Sequence, residues 1–149
     1  MGTPRSAAYS FLDVFASITG DGIAHSFTGH AQEGYSIMMG GTRNTLVVGA
    51  GGDGMNSLRA GRNGSFHLRL LKTSLSNQIL SDNFAYQAAS AATWGKNVIL
   101  VRDSARGDTI NISGAAYSKF PDNGYGENGN IIEWVWDATF IDSTLGAGA

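Results

Sequence analysis

Between Gly64 and Leu80 the hydrophobic period of the chain changes from two to about 3.6, which demands a strand running almost directly into a helix. Phe66, Leu68 and Leu70 alternate with His67 and Arg69, as a half-buried strand requires. Beyond Thr73-Ser74, Leu75, Ile79 and Phe84 recur at helical spacing, and Leu80 widens the same apolar stripe. Ser74 is the expected N-cap, its hydroxyl accepting a hydrogen bond from a free first-turn N–H. The helix is predicted from Leu75 to about Ser90, with Thr93-Trp-Gly95 ending it.

Everything around this junction reads as strands and turns. In residues 11–19, Leu12, Val14, Ala16 and Ile18 alternate with Asp13 and Ser17, and Gly20-Asp-Gly22 turns the chain into a partner strand over 23–27. Residues 33–39 and 45–48 are extended on either side of Gly40-Gly41, and the two are expected to pair as a hairpin around residues 40–44. Residues 97–102 form a short apolar strand, and Ala105-Arg-Gly-Asp108 turns into another over 109–118, with Ile110, Ile112, Gly114 and Ala116 on one face. After a polar loop over 121–130, the last strand places Ile132, Trp134, Trp136, Ala138 and Phe140 on one side, with Ile131, Val135 and Ile141 on the other. Apolar residues on both faces suit a strand covered on one side by the core and on the other by a second element or subunit. The predicted fold is mainly β (α+β): a β-sandwich or barrel-like domain, residues 1–149, with one flanking α-helix and flexible ends near 1–8 and 146–149.

Charged residues make up only 15% of the chain, against roughly 25% in soluble domains. Much of the surface must therefore be uncharged or covered by partners. A net charge of -2 argues against a protein that grips nucleic acid through its phosphates. No cysteine is present, which removes disulfides, zinc thiolates and thiol nucleophiles. No run approaches the roughly 18 apolar residues of a membrane helix, and residues 1–5 lack a secretory pattern, so cytoplasmic synthesis without membrane insertion is expected.

Several motifs suggest chemistry and fail on context. Gly49-Ala-Gly-Gly-Asp-Gly54 follows a strand and matches a dinucleotide-binding loop, but residues 55–60 are too few for a crossover helix. His25, His30 and His67 have no metal-ligand spacing, and Asp122, Asn123, Glu127 and Asn128 depart from a calcium-loop pattern. Serines are abundant without a nucleophile elbow. Arg59, Arg62, Arg69 and Lys72 lie close in sequence and read better as solubilising charges than as a basic strip. Trp94, Trp134 and Trp136 could form a sugar-stacking platform, although strand spacing puts Trp134 and Trp136 in a core or interface. No cofactor, metal or catalytic residue is expected, and the chain does not read as an enzyme.

Four segments, Tyr9-Ser-Phe-Leu-Asp-Val14, the junction from Gly64 to Leu80, Val101-Arg-Asp-Ser-Ala-Arg-Gly-Asp108 and Glu133-Trp-Val-Trp-Asp137, together resemble the tail tube proteins of contractile-tailed bacteriophages. The resemblance implies a structural virion protein of the viral tail, with six copies closing into a ring and the hexamers stacking by self-assembly into a hollow tube. Strands of each subunit would join a continuous β-barrel around a lumen for genome ejection, with DNA passing through without specific binding. Implied partners are further copies of the chain and the tail sheath, baseplate and tape-measure proteins, with assembly in the host bacterial cytoplasm. Met38, Met39, Arg43, Asn44 and Leu46, on the expected hairpin, are the candidates for an inter-ring or subunit contact, since apolar side chains beside Arg43 and Asn44 suit a wet interface. The alternative is a β-sandwich binding module that takes carbohydrate on exposed aromatics.

Overall fold

The computed structural model describes residues 8–28 and 30–146, so the flexible ends expected near 1–8 and 146–149 lie, but for residues 8 and 146, outside the described residues. A 3-10 turn, Phe11–Asp13, leads into β1 (Val14–Gly20), β2 (Ile23–Ser26), β3 (His30–Met39), β4 (Asn44–Val48), β5 (Gly54–Leu58) and β6 (Gly64–Leu71). The helix α1 (Leu75–Ala88) follows, then β7 (Asn97–Asp103), β8 (Asp108–Tyr117) and β9 (Ile131–Thr144). Leu12, expected on the first strand, sits in the 3-10 turn and faces solvent, because Ser10 caps that turn through the Leu12 N–H.

Seven strands form one antiparallel sheet in the order β2-β1-β7-β8-β9-β6-β3, while β4 and β5 pair only with each other. The large sheet curls until its two ends approach. Phe27, just past β2, lies 6.4 Å from Phe66 of β6 and 6.0 Å from Trp136 of β9, and Phe11 meets Tyr35 of β3 at 5.4 Å. The result is the barrel-like, mainly β architecture with one helix that the sequence predicts. Burial, with Tyr9 nearby, pushes the Tyr35 hydroxyl up to about 12, so it stays neutral at the seam.

The core sits inside this curl. Phe66, Leu68 and Leu70 are fully enclosed, as their period-two spacing requires, and they face Trp136, Trp134 and Ile132 in register across β6 and β9. Tyr117 completes the aromatic cluster, 5.2 Å from Trp136. On β9 the inward set stops at Ala138: Ile141 is buried and Phe140 is turned outward. The same change of face occurs on β8, where Ile112 is buried and Ile110 packs against the core as expected, but Ala115 and Tyr117 then point inward in place of the expected Gly114 and Ala116. Both breaks meet at Gly114, whose φ of +61° suits glycine and whose carbonyl accepts from the Thr139 hydroxyl.

Ser74 caps α1 as predicted, accepting from the Ser76 N–H. The buried side of the helix agrees only in part with the predicted stripe. Leu75 is exposed and Ile79 and Phe84 are only half-buried, while Ser76, Asn83 and Gln87 are enclosed beside Leu80. These polar side chains are satisfied by partners remote in sequence. Gln87 and Asn97 exchange amide hydrogen bonds at 2.7 and 2.9 Å, and Gln87 and Asn83 both donate to the Asp21 carbonyl. The Tyr117 hydroxyl, held protonated because burial raises its pKa, donates to Asn83 at 2.6 Å. The helix is thus hydrogen-bonded to β7, β8 and the β1–β2 turn.

Ser76 anchors the other end of the helix. His25 Nε2 lies 2.8 Å from its hydroxyl, and the Thr28 N–H donates to the same oxygen. Burial lowers the His25 pKa because the charged ring is poorly solvated there. Unfolding then takes up a proton below the ordinary value near 6.5, so the contribution is complete above that pH and is lost on acidification toward the lowered folded value. Melting temperatures between pH 8 and pH 5 should fall less steeply for His25→Gln than for the natural chain; parallel curves would remove His25 from this role.

Candidate assembly surface

The expected pairing of β3 with β4 is overturned. β3 pairs with β6, with Met38 opposite Ser65 and Met39 opposite Gly64, and β4 turns back on β5. Close approach requires the glycine: a Cβ on Gly64 would stand 2.2 Å from the Met38 carbonyl. On β4, Leu46, Val47 and Val48 are consecutive apolar residues, and all three are exposed, on both faces of a ribbon separate from the core sheet. The glycine motif that imitates a nucleotide loop is the tip of the β4–β5 hairpin. Its Gly49 N–H donates to Asp53 O at 2.7 Å, and the Gly52 N–H to Gly49 O at 3.0 Å.

At the base of the hairpin the arms are clamped by polar contacts. Arg43 Nε donates to Arg59 O at 2.8 Å, Arg59 reaches Thr45 Oγ1 with two nitrogens, and Asn44 donates to Asn56. Beyond the clamp, Leu46, Val47, Val48, Met55 and Leu58 are between 52% and 80% exposed. Met38 and Met39, at the adjoining end of β3, are just over half exposed. The structure therefore gathers Met38, Met39, Arg43, Asn44 and Leu46 at one end of the fold, on two different sheets. Sequence reasoning missed Val47, Val48, Met55 and Leu58. The available signal was two five-residue extended runs flanking a glycine-rich turn.

A second feature suited to self-association is the pair of open strand edges. Among the described residues, β2 and β3 are the outermost strands of the seven-stranded sheet, and no other strand pairs with the outer side of the ten-residue β3. The basic residues do not form a strip. Arg59 is held within the hairpin, Arg62 stacks on Phe140, Arg69 pairs with Glu133 and Lys72 lies over Tyr125.

Other chemistry expected or excluded from the sequence has these positions. Trp134 and Trp136 are core residues, and Trp94 is packed against Phe84 and Tyr117, so the tryptophans do not form a surface platform for sugar. Ser65, His67 and Glu133 follow one another across β6 and β9 in the order of a hydrolytic triad. The carboxylate, however, is committed to Arg69 at 2.9 Å, closer than His67 at 3.6 Å. Among the described residues no three histidine or acidic side chains converge as a metal site, and no helix is long and apolar enough to cross a membrane.

A family model for the bacteriophage PhiTE tail tube protein matches residues 6–146, almost the whole chain. The chain belongs to that tail tube protein family. It is accordingly a structural protein and not an enzyme. No curated protein matches it by sequence. In fold, this tail tube family member is similar to the tube-terminating cap of the anti-feeding prophage, with a TM-score of 0.59 and 10% identity over 98% of this chain and 97% of that one. It is also similar to a chain of the sheath–tube complex of PVC, an extracellular contractile injection system, with a TM-score of 0.58 and 12% identity over 93% and 92% of the two chains. A third likeness, to the PVC sheath/tube terminator, has a TM-score of 0.57 and 15% identity over 95% and 99%. At these identities the likeness is one of fold.

Proposed function

We propose that this tail tube protein acts as one domain that closes into six-membered rings, and that the rings stack into a hollow tube through which a phage genome leaves the particle. The observation that carries the reading is the β4–β5 hairpin, an apolar element that pairs with no other strand among the described residues and leaves Leu46, Val47, Val48, Met55 and Leu58 exposed, as a surface meant for a neighbour would be. The open β2 and β3 edges fit ring closure, since pairing them between neighbours satisfies their backbone groups and leaves no exposed edge. The low charge fits a surface largely covered by neighbours, and the acidic balance fits a lumen along which DNA slides. Sheath, baseplate and tape-measure proteins are the proposed partners, in a tail assembled in the host cytoplasm. A sheath is named with the tube of one similar contractile system, and a similar chain belongs to the baseplate of the anti-feeding prophage.

Within this reading, Met38, Met39, Arg43, Asn44 and Leu46 border the inter-ring contact. Negative-stain microscopy of the purified protein tests it: hollow tubes with six-fold end views are expected, and a monodisperse monomer at high concentration would overturn it. Met39→Ser combined with Arg43→Ser should leave the circular dichroism spectrum unchanged and shorten or abolish the tubes. Tubes of ordinary length would remove these two residues from the contact.

A further inference from the structure

The turn that joins β7 to β8 brings two carboxylates to one end of the curled sheet. β7 ends at Asp103 and β8 starts at Asp108, and the strand register sets the two residues side by side. Alternation along β7 turns Asp103 inward with Val101 and leaves Arg102 on the opposite, exposed face. β1 begins opposite Asp103, at Val14, with Tyr9 and Phe11 just ahead of it in the chain. β3 supplies Tyr35 across the seam, where its ring meets that of Phe11 at 5.4 Å.

A cavity of about 330 Å³ lies among these groups. Tyr9, Phe11, Tyr35, Asp103 and Asp108 line it, with one aliphatic side chain from each of β1, β3, β7 and β8, so both charged groups of the lining are carboxylates. Small-molecule sites begin at about this size, roughly 300 Å³. Asp103 is only 5% exposed, yet its carboxylate is half used. Oδ1 accepts from the Ala105 and Arg106 N–H groups at 3.1 and 3.2 Å, whereas Oδ2 has no hydrogen bond or ion pair among the described residues. Asp108 Oδ1 accepts from the Gly146 N–H at 2.7 Å, and its Oδ2 has only the Arg106 guanidinium at 4.0 Å.

The lining decides what can fill the space. An anion is repelled, and a neutral apolar molecule would leave the Asp103 charge desolvated and unpaired. A divalent cation takes about six to eight oxygen ligands, which a wall of three aromatic and four aliphatic side chains does not supply. An alkylammonium ion suits every part: its head pairs with the carboxylates, the aromatic faces attract the same charge, and its stem covers the aliphatic wall. We propose that this cavity binds an organic cation, an ammonium group on a short aliphatic stem, presented by a free amine or by a lysine side chain of a second copy. Bound there, the cation ties β3 to β7 and β8 across a seam that no strand ladder bridges among the described residues.

The melting temperature of the purified chain in butylammonium chloride tests it, with ammonium chloride and butanol as controls. A rise that saturates with butylammonium and is absent with both controls is expected. Asp103→Asn keeps an oxygen for the two turn N–H groups and removes the charge, so it should weaken binding about tenfold. Tyr9→Leu changes an exposed side chain at the rim and should weaken binding about threefold in a folded protein. An equal rise with butanol, or no saturable rise with butylammonium, would overturn the proposal. So would unchanged affinity in Asp103→Asn, or in Tyr9→Leu should the first variant fail to fold. Assembly separates the two sources: butylammonium retained in tubes supports a free amine as the occupant, and its release on assembly supports a side chain of the neighbouring copy.

Discussion

Replacing residues 44–58 with an Asn-Gly turn should yield a folded protein that no longer forms tubes. The backbone tolerates the cut because the Arg59 N–H already donates to Arg43 O at 2.8 Å, so the two stumps lie side by side as in a tight hairpin. The removed strands share no ladder with the core sheet, and all of their residues but Thr45 are exposed. The melting temperature should therefore stay within about 2 °C, the shift expected from surface changes of roughly 0.5 kcal/mol. Assembly, by contrast, loses Leu46, Val47, Val48, Met55 and Leu58 together. Full burial of such side chains stabilises by about 1.5–3 kcal/mol each, so even partial burial of five, repeated around a ring, decides whether rings stack. Calorimetry and negative-stain images of the same preparation separate the two effects. Tubes formed by the shortened chain would show that the hairpin is dispensable.

How much of this surface was legible depends on what alternation can reveal. The period-two pattern of Phe66, Leu68 and Leu70 states which face of β6 is buried, and the structure agrees. It does not state which strand lies alongside. Gly40-Gly41 has the composition of a hairpin turn, yet it only marks where the chain leaves the core sheet. Tyr35 and Ile37 bury part of their surface against the core next to β6, whereas Leu46, Val47 and Val48 stay exposed on the separate β4–β5 ribbon, a difference that their apolar character alone does not reveal. The candidate residues therefore lie together at one end of the fold, although β3 and β4 do not pair as expected. Trp134 and Trp136 were recognisable as core because their spacing matched an inward-facing strand, while Phe140 was misplaced by a change of face at Gly114 and Thr139 that composition does not announce.

The helix shows the opposite limit. Its start was readable to the residue, since Ser74 has the hydroxyl a cap needs and the period changes there. Its buried face was readable only in part. Of the stripe Leu75, Ile79, Leu80 and Phe84, Leu80 is enclosed and Ile79 and Phe84 pack against the core, but Leu75 is exposed and the buried side also carries Ser76, Asn83 and Gln87. Polar residues read as exposed unless their partners are known, and the partners are His25, Asp21, Asn97 and Tyr117, none adjacent in sequence.

That arrangement makes Asn97→Ala a severe change for a conservative-looking site. Asn97 and Gln87 are both fully buried, and each amide satisfies the other. Truncating Asn97 strands the Gln87 Oε1 acceptor without solvent and opens a small void, so a loss of about 2–4 kcal/mol is expected, or roughly 5–12 °C in melting temperature. Gln87→Leu alone should cost a similar amount by stranding Asn97. The double variant Gln87→Leu with Asn97→Leu removes both polar groups at once, and the Asp21 carbonyl keeps its bond from Asn83 at 2.9 Å. It should therefore be less damaged than the sum of the single changes, by about 1–3 kcal/mol in a double-mutant cycle. Simple additivity would mean that the two amides do not act as a pair. Because the network ties α1 to β7, β8 and the β1–β2 turn, the single variants should also assemble poorly at temperatures where the natural chain forms tubes. Lowering the temperature should restore them, which no variant lacking the hairpin can do.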